Sequence, residues 1–405
     1  MSEKEPRQEV YSRAYRMRAQ DIVRTEFMPK KAAADVVSIP FLRVSKRAPR
    51  PWYVAVAHIV CAVVVAFIIS GIFIAAIGKN PFTYFAVALT ANFTDIIYIG
   101  TLINATVPLL ITALGLSLAY RLKLWNVGGE GQFIVGALAA GAVALLLGDG
   151  LPRPFGILVV LAAGIVAGGV WGLLAAVFRI RFGTSETLIT LMLNYIALYV
   201  ISLCRDTKFF GVSGFPAFKP VGASFWLSEV DLGSVVTLDT GLIFAIVLTA
   251  LMYLFLRFTK KGYELNVLGD SAGTARYAGM KVNRIMLLTM FVSAGIVGLA
   301  GALQLTGTEG GHTLTPGITG GVGWTAVIVA WLAKHKPGYI ALTAFLITLL
   351  ECGSNIARSR LGISMAVADI IQGVLLFSIL AVDFFLVYKV HFRLPWRKKA
   401  EEGLL

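Results

Sequence analysis

Charge is scarce in this chain of 405 residues. Asp, Glu, Lys and Arg together make up 14%, against roughly 25% in an ordinary soluble domain. That deficit, beside a 57% apolar fraction, excludes a soluble globular protein: a soluble core of this size has no use for so many apolar residues. Cysteine is nearly absent. Cys61, Cys204 and Cys352 fall in or at the edge of apolar runs with no CxxC spacing, which excludes a disulfide framework and a zinc ribbon. The four histidines are scattered, without HExxH or other metal spacing. No GxxxxGK[ST] loop occurs, so the chain carries no phosphate-binding loop of its own. Gly321-x-Gly323 leads into an apolar run and lacks the strand–turn–helix setting of a nucleotide site.

What is present is a succession of apolar runs. A membrane span needs roughly 20 such residues. About ten runs qualify, over 52–77, 97–120, 131–148, 155–178, 186–204, 237–257, 285–305, 322–333, 338–353 and 364–388. The expected fold is therefore an all-α membrane protein of about ten transmembrane helices, or eight if two runs are re-entrant. The eighth run is short for a full span and reads as tilted or broken. Residues 81–92 are amphipathic and too short and polar to cross, so they are expected at the interface.

The net charge of +14 does not describe a nucleic-acid surface, because the basic residues form no single patch. They sit in the connectors. Residues 1–50, Arg121, Lys123, Arg179, Arg181, the cluster from Arg257 to Arg284, Lys334, Lys336 and the segment after Lys389 fall on one side. Only Lys79, Arg153, Arg205, Lys208, Lys219, Arg358 and Arg360 fall on the other. This bias puts both termini in the cytoplasm, which requires an even number of spans. Residues 1–50 then form a basic cytoplasmic extension rather than a signal peptide, with an amphipathic helix expected near Val10–Ile22. Residues 51–390 form the transmembrane domain, and 391–405 a basic cytoplasmic tail. Two connectors are long: 205–236, external and rich in Phe, Pro and Trp, and 258–284, cytoplasmic. Long loops between spans commonly bind something.

Several polar residues interrupt the apolar runs. Asn126-Val-Gly-Gly-Glu-Gly-Gln132 lies between two of them. Such a break is tolerated in lipid only where protein or a water-filled cavity covers it. Asn126, Glu130 and Gln132 either tie down a helix break or line a substrate path. Glu186, near Arg179 and Arg181, is expected to form an ion pair at the inner interface. Asn194 lies deeper, where its amide needs an interhelical partner or a substrate. Trp324 suits stacking on a base or sugar face, or a place in the interfacial aromatic belt. Glu351, Asp369 and Gln372 mark an aqueous path, a proton route or packing hydrogen bonds. In the inner connector, Asp270 or Ser271 is expected to cap a short helix that Gly279 ends. Leu268, Ala272, Ala275 and Ala278 give that helix a small-residue face, suited to a partner's groove or to resting on lipid.

Four of these stretches resemble, in order, the permeases of ATP-binding-cassette importers, in the branch handling simple sugars and nucleosides. Leu265, Gly269, Ala275, Tyr277, Ala278, Gly279 and Met280 keep step with that branch's coupling-helix pattern, with departures at Asp270-Ser271 and Gly273-Thr274. Asn126–Gln132 is similar to its Phe-Asn-Ile-Gly-x-Glu-Gly-Gln signature, with Trp125 in place of Phe. Glu186–Ala197 resembles the nucleoside-type subset. Gly321–Ala330 resembles a further motif, although Lys334-His335-Lys336 replaces its glycine-rich end. The resemblance covers about residues 97–385. It implies a pore subunit without catalytic residues, metal or bound cofactor, in a bacterial inner (plasma) membrane. Two cytoplasmic ATPase subunits would use ATP and dock on Gly269, Asp270, Ala275, Arg276, Tyr277, Ala278 and Gly279. A second permease, identical or related, and an external binding protein would complete the assembly. The implied substrate is a nucleoside, purine before pyrimidine, with a simple sugar second. The alternative of a different class is a stand-alone carrier driven by an ion gradient through Asp369, Glu351 or Glu130. Such a carrier has no need of the 258–284 helix.

Overall fold

A computed structural model describes residues 42–46, 52–231 and 237–392. In chain order, strand β1 (Leu42–Lys46) precedes helices α1 (Trp52–Ala76) and α2 (Pro81–Thr90). Four long helices follow: α3 (Ile96–Arg121), α4 (Gly129–Leu147), α5 (Arg153–Phe182) and α6 (Glu186–Arg205). Strands β2 (Glu229–Asp231) and β3 (Thr237–Asp239) form a small antiparallel pair before α7 (Gly241–Phe258). Two short helices, α8 (Lys260–Asp270) and α9 (Ala272–Tyr277), lead to α10 (Val282–Thr306). The chain continues through α11 (Val322–Leu332), α12 (Pro337–Leu361), α13 (Met365–Val387) and β4 (Tyr388–Phe392).

The ten apolar runs correspond one to one with α1, α3 to α7 and α10 to α13. Seven of these, α3 to α7, α10 and α12, are long and apolar enough to cross a membrane by length and composition. The 11-residue α11 rises only about 16 Å, half of a hydrocarbon core, as its short run suggested. Residues 81–92 form α2 and a single 3-10 turn. The segment near Val10–Ile22 lies outside the described residues, as do most of the two terminal extensions.

The chain divides into two units, residues 63–380 and residues 1–62 with 381–405. In the smaller, β1 pairs antiparallel with β4, Leu42 opposite Phe392 and Lys46 opposite Tyr388. Among the described residues, strands occur only in two short ribbons. In the larger unit α3 is the central helix, buried along nearly its whole length. It packs on α7, α10, α11 and α12, while α4, α5 and α10 form a tight three-helix group.

Local chemistry sets the helix ends. Asn80 caps α2, accepting from the Phe82 N–H at 2.9 Å, with Pro81 in the first turn. Asp95 caps α3 and Ser185 caps α6. Gly183 and Gly362, both with positive φ, close α5 and α12. In the α4–α5–α10 group, glycines remove the side-chain layer. A Cβ on Gly298 would fall on the Gly164 carbonyl, and 2.9 Å from the Gly168 Cα; one on Gly136 would fall on the backbone of Gly298. Backbones meet where lipid supplies no hydrophobic drive between helices, and dispersion contacts alone must hold them.

Candidate functional site

The connector between α3 and α4 is fastened by its own polar side chains. Asn126 and Gln132 form a reciprocal amide pair: Asn126 Nδ2 donates to Gln132 Oε1 at 3.2 Å and Gln132 Nε2 to Asn126 Oδ1 at 2.9 Å. The Gly128 N–H also donates to Asn126 Oδ1, at 3.0 Å, and Tyr120 Oη donates to the Asn126 carbonyl, at 2.7 Å. From α6, Asn194 Nδ2 donates to the Val127 carbonyl at 2.9 Å, and its Oδ1 accepts from the Gly131 N–H at 2.8 Å. One turn earlier, Thr190 accepts from the Val127 N–H at 3.2 Å. At the start of α6, Glu186 pairs with Arg179 at 3.1 Å, the ion pair its sequence position suggested.

Glu130 fastens the opposite side. Its Oε1 accepts from the Thr319 hydroxyl, and its Oε2 from the Gly323 N–H at 3.1 Å. Asn126, Glu130, Gln132 and Asn194 are all buried. The structure therefore brings four of the five substrate-path candidates together, as a knot joining α4, α6 and α11. An unpaired buried amide or carboxylate would cost several kcal/mol in such surroundings, and each of these is paired. Trp324, the fifth, is 38% exposed and makes no ring contact among the described residues.

A cavity of about 700 Å³ lies beside the knot. Its wall includes Asn92, Tyr98, Thr101, Pro108, Gln304, Glu309, Thr319, Glu351 and Asn355. Thr319 belongs to both, so the knot and the cavity share a wall. Of the wall's polar residues, sequence reasoning singled out Glu351 alone. A signal existed in Asn355, one helical turn after Glu351 on α12, and in Gln304, a lone amide near the end of an apolar run. Asp369 is exposed and lies outside the wall. Burial, reinforced by the nearby Asp239, pushes the Glu309 carboxyl above its ordinary value. Asp239 in turn accepts from both the N–H and the hydroxyl of Thr308, each at 2.9 Å. Among the described residues no group of three or more His, Cys, Asp or Glu side chains has a metal-binding arrangement.

The segment after α6 packs on the loop between α10 and α11. The Val221 N–H donates to the His312 carbonyl and the Leu227 N–H to the Thr306 carbonyl, both at 2.8 Å. The Trp226 ring stacks on His312 at 4.2 Å. Arg153 donates to the Trp226 and Leu227 carbonyls at 2.9 Å.

At the other end of the helices, α9 starts at a Ser271 cap and stops before Gly279, whose φ is +75°. Gly269 meets the Arg121 carbonyl so closely that no side chain fits there. Ala275 is fully buried against this chain, whereas Tyr277 is 97% exposed. The small-residue face is thus split. Ala275 seats α9 on its own protein, while Ala272, Arg276, Tyr277 and Ala278 face outward.

Residues 98–380 match the family described as the branched-chain amino acid transport system / permease component. The chain belongs to that permease family. It is similar to the guanosine ABC transporter permease protein NupP of Bacillus subtilis, 29% identical over 70% of this chain and 81% of that one. The nucleoside ABC transporter permease protein NupB of Lactococcus lactis is 28% identical, over 80% and 90%. The glucose ABC transporter permease protein TsgB13 of Haloferax volcanii is 24% identical, over 86% and 93%. Family and helices together make this a multi-pass permease subunit of an ABC transporter, which decides against a stand-alone carrier driven by an ion gradient.

Proposed function

We propose that this permease imports nucleosides, purine nucleosides first, delivered by an external binding protein and driven by separate cytoplasmic ATPase subunits. The observation that carries the reading is the cavity wall beside the knot. Tyr98, Thr101, Gln304, Glu309, Glu351 and Asn355 line one space, alongside Asn92 and Thr319, whose side chains are bonded to the Leu349 carbonyl and to Glu130. A ribose offers hydroxyls, and a base offers alternating donors and acceptors; both need such a set in an otherwise apolar enclosure. About 700 Å³ is a common volume for a small-molecule site. Two of the relatives carry nucleoside permease names. A simple sugar is the second reading, favoured by the glucose relative.

In this proposal the Trp226–His312 end of the helices meets the binding protein, and the outward face of α9 meets an ATPase. A second permease, identical or related, completes the pore. The ATPases bind and use ATP, and this chain stabilises two access states differently through partners at its two ends. The test is uptake of labelled guanosine by cells expressing the whole transporter, with unlabelled competitors. Inosine and adenosine should compete and glucose should not. Absence of transporter-dependent guanosine uptake, with uptake of labelled glucose or ribose by the same cells, would sink the nucleoside reading and support the sugar one.

A further inference from the structure

A second cleft, remote from the cavity, lies where α3 and α7 end and α12 begins. It measures about 480 Å³. Its wall holds three cations from three different helices or their flanks: Arg121 at the end of α3, Arg257 at the end of α7 and Lys336 just before α12. Two tyrosines, Tyr253 and Tyr339, complete the polar part, and no acidic residue among the described ones lines it. The three ion pairs among the described residues all lie elsewhere.

Among the described residues the cations are held by neutral groups alone. Arg121 donates to Asn266 Oδ1 at 3.1 Å and to the His335 carbonyl at 2.7 Å, and its buried Nε has no partner. Arg257 donates to Tyr253 Oη at 2.7 Å, with its guanidinium over that ring. Lys336 Nζ sits 5.4 Å from the Tyr339 ring centre. Next to them, His335 is held neutral, its pKa pulled down to about 4 by burial and by the Arg121 charge. The N-terminus of the 25-residue α12, which opens here, has no side-chain cap, and its dipole adds to the positive field.

The surroundings of the cleft are apolar and exposed. On α7, Leu254, Leu251 and Val247 recede from it in helical steps; on α12, Leu342 and Leu346 do the same. Because α7 ends at the cleft and α12 begins there, both rows run in the same direction across the span.

We propose that this cleft binds the phosphate headgroup of an anionic membrane lipid, whose acyl chains lie along the exposed rows of α7 and α12. Three cations without an ion pair among the described residues attract phosphate. Tyr253 and Tyr339 lie near the ends of their helices, where aromatics gather at a membrane interface, and the leucine rows offer the chains a surface. Basic pockets between transmembrane helices bind anionic headgroups by this combination. A soluble phosphate would use the cations and leave the rows unused, and an acidic segment of a cytoplasmic partner would have no reason to sit above rows of leucine.

The test uses the full transporter reconstituted in bilayers of phosphatidylcholine with phosphatidylglycerol, extracted gently and weighed by native mass spectrometry. Phosphatidylglycerol should stay bound to the wild-type chain. The double variant Arg257→Gln with Lys336→Gln should retain it about thirtyfold less, since each interfacial cation contributes about fivefold. Arg257→Lys with Lys336→Arg, which keeps the charges, should retain it and so controls for folding. Lys334→Gln, an exposed neighbour outside the cleft, should change nothing. Equal retention by the glutamine variant would overturn the proposal. So would displacement of the lipid by inorganic phosphate as effectively as by added phosphatidylglycerol, which would mark a free-anion site. Loss of the ATPase subunits with lipid retention intact would mark a protein-docking surface and also overturn it.

Discussion

Glu130 places a carboxylate between two elements nearly 200 positions away in sequence, Thr319 and Gly323. Truncation to alanine strands a buried hydroxyl and a buried N–H, at about 1–3 kcal/mol each. Glu130→Ala should therefore lower the melting temperature of the detergent-purified protein. Glu130→Gln can still accept from Gly323 and donate to Thr319, so it should cost much less. If the glutamine variant melts as low as the alanine one, the role is charge rather than hydrogen bonding. His335 gives a pH dependence with a definite sign. Its folded pKa is about 4 and its unfolded value about 6.5, so between those values the unfolded chain binds more protons. Stability from this group is complete above pH 6.5 and is lost as the pH falls toward 4. The raised Glu309 works in the opposite sense, so wild type alone is ambiguous. The comparison with His335→Asn, a residue that suits the left-handed backbone here (φ +57°), isolates the term. Melting curves of the variant should fall less steeply from pH 7 to 5. Parallel slopes would remove His335 from the account.

At the scale of elements, α9 turns Ala275 inward and Tyr277 outward, and in the proposed assembly the outward face meets the ATPase. Ala275→Glu places a carboxylate in a fully buried position, so it should loosen α8 and α9 and lower both the melting temperature and transport. Tyr277→Ala removes a side chain that touches almost nothing of its own protein. It should leave melting unchanged and reduce stimulation of ATP hydrolysis by substrate-loaded binding protein at least tenfold. Wild-type stimulation by the Tyr277 variant would place the ATPase contact elsewhere. The helices themselves were legible in the sequence because lipid demands long apolar runs, and even the shortness of α11 shows there. Caps were legible too, since Ser271 and Gly279 act within a few residues. Partners were not. Nothing adjacent to Asn194 says that its amide holds Val127 and Gly131, and polarity alone suited a substrate contact equally well. Only packing reveals that Ala275 faces inward, because a small-residue face reads the same whichever neighbour covers it. The β1–β4 ribbon joins segments more than 300 residues apart, beyond any local pattern.

Among the described residues of the larger unit, basic connectors gather at one end. Lys123, Arg179, Asp270 and Arg276 line one depression, and Arg121, Arg257 and Lys336 another. Arg153, Trp226 and His312 meet at the other end. Orientation then follows from the charge bias. In a variant lacking its cysteines, a single cysteine at Ser213 should react with an impermeant thiol reagent in intact cells, and one at Ser271 should not; both positions are exposed. The reverse pattern would invert the topology. The contact of α4, α5 and α10 through Gly136, Gly164, Gly168 and Gly298 has a mechanical consequence. Intermeshed side chains can slide by changing rotamer, but touching backbones have no such slack. These three helices should travel as one rigid body in any cycle of opening and closing. Thr319 and Gly323, bound to Glu130 of α4, should travel with that body, so the flexing falls to elements outside it.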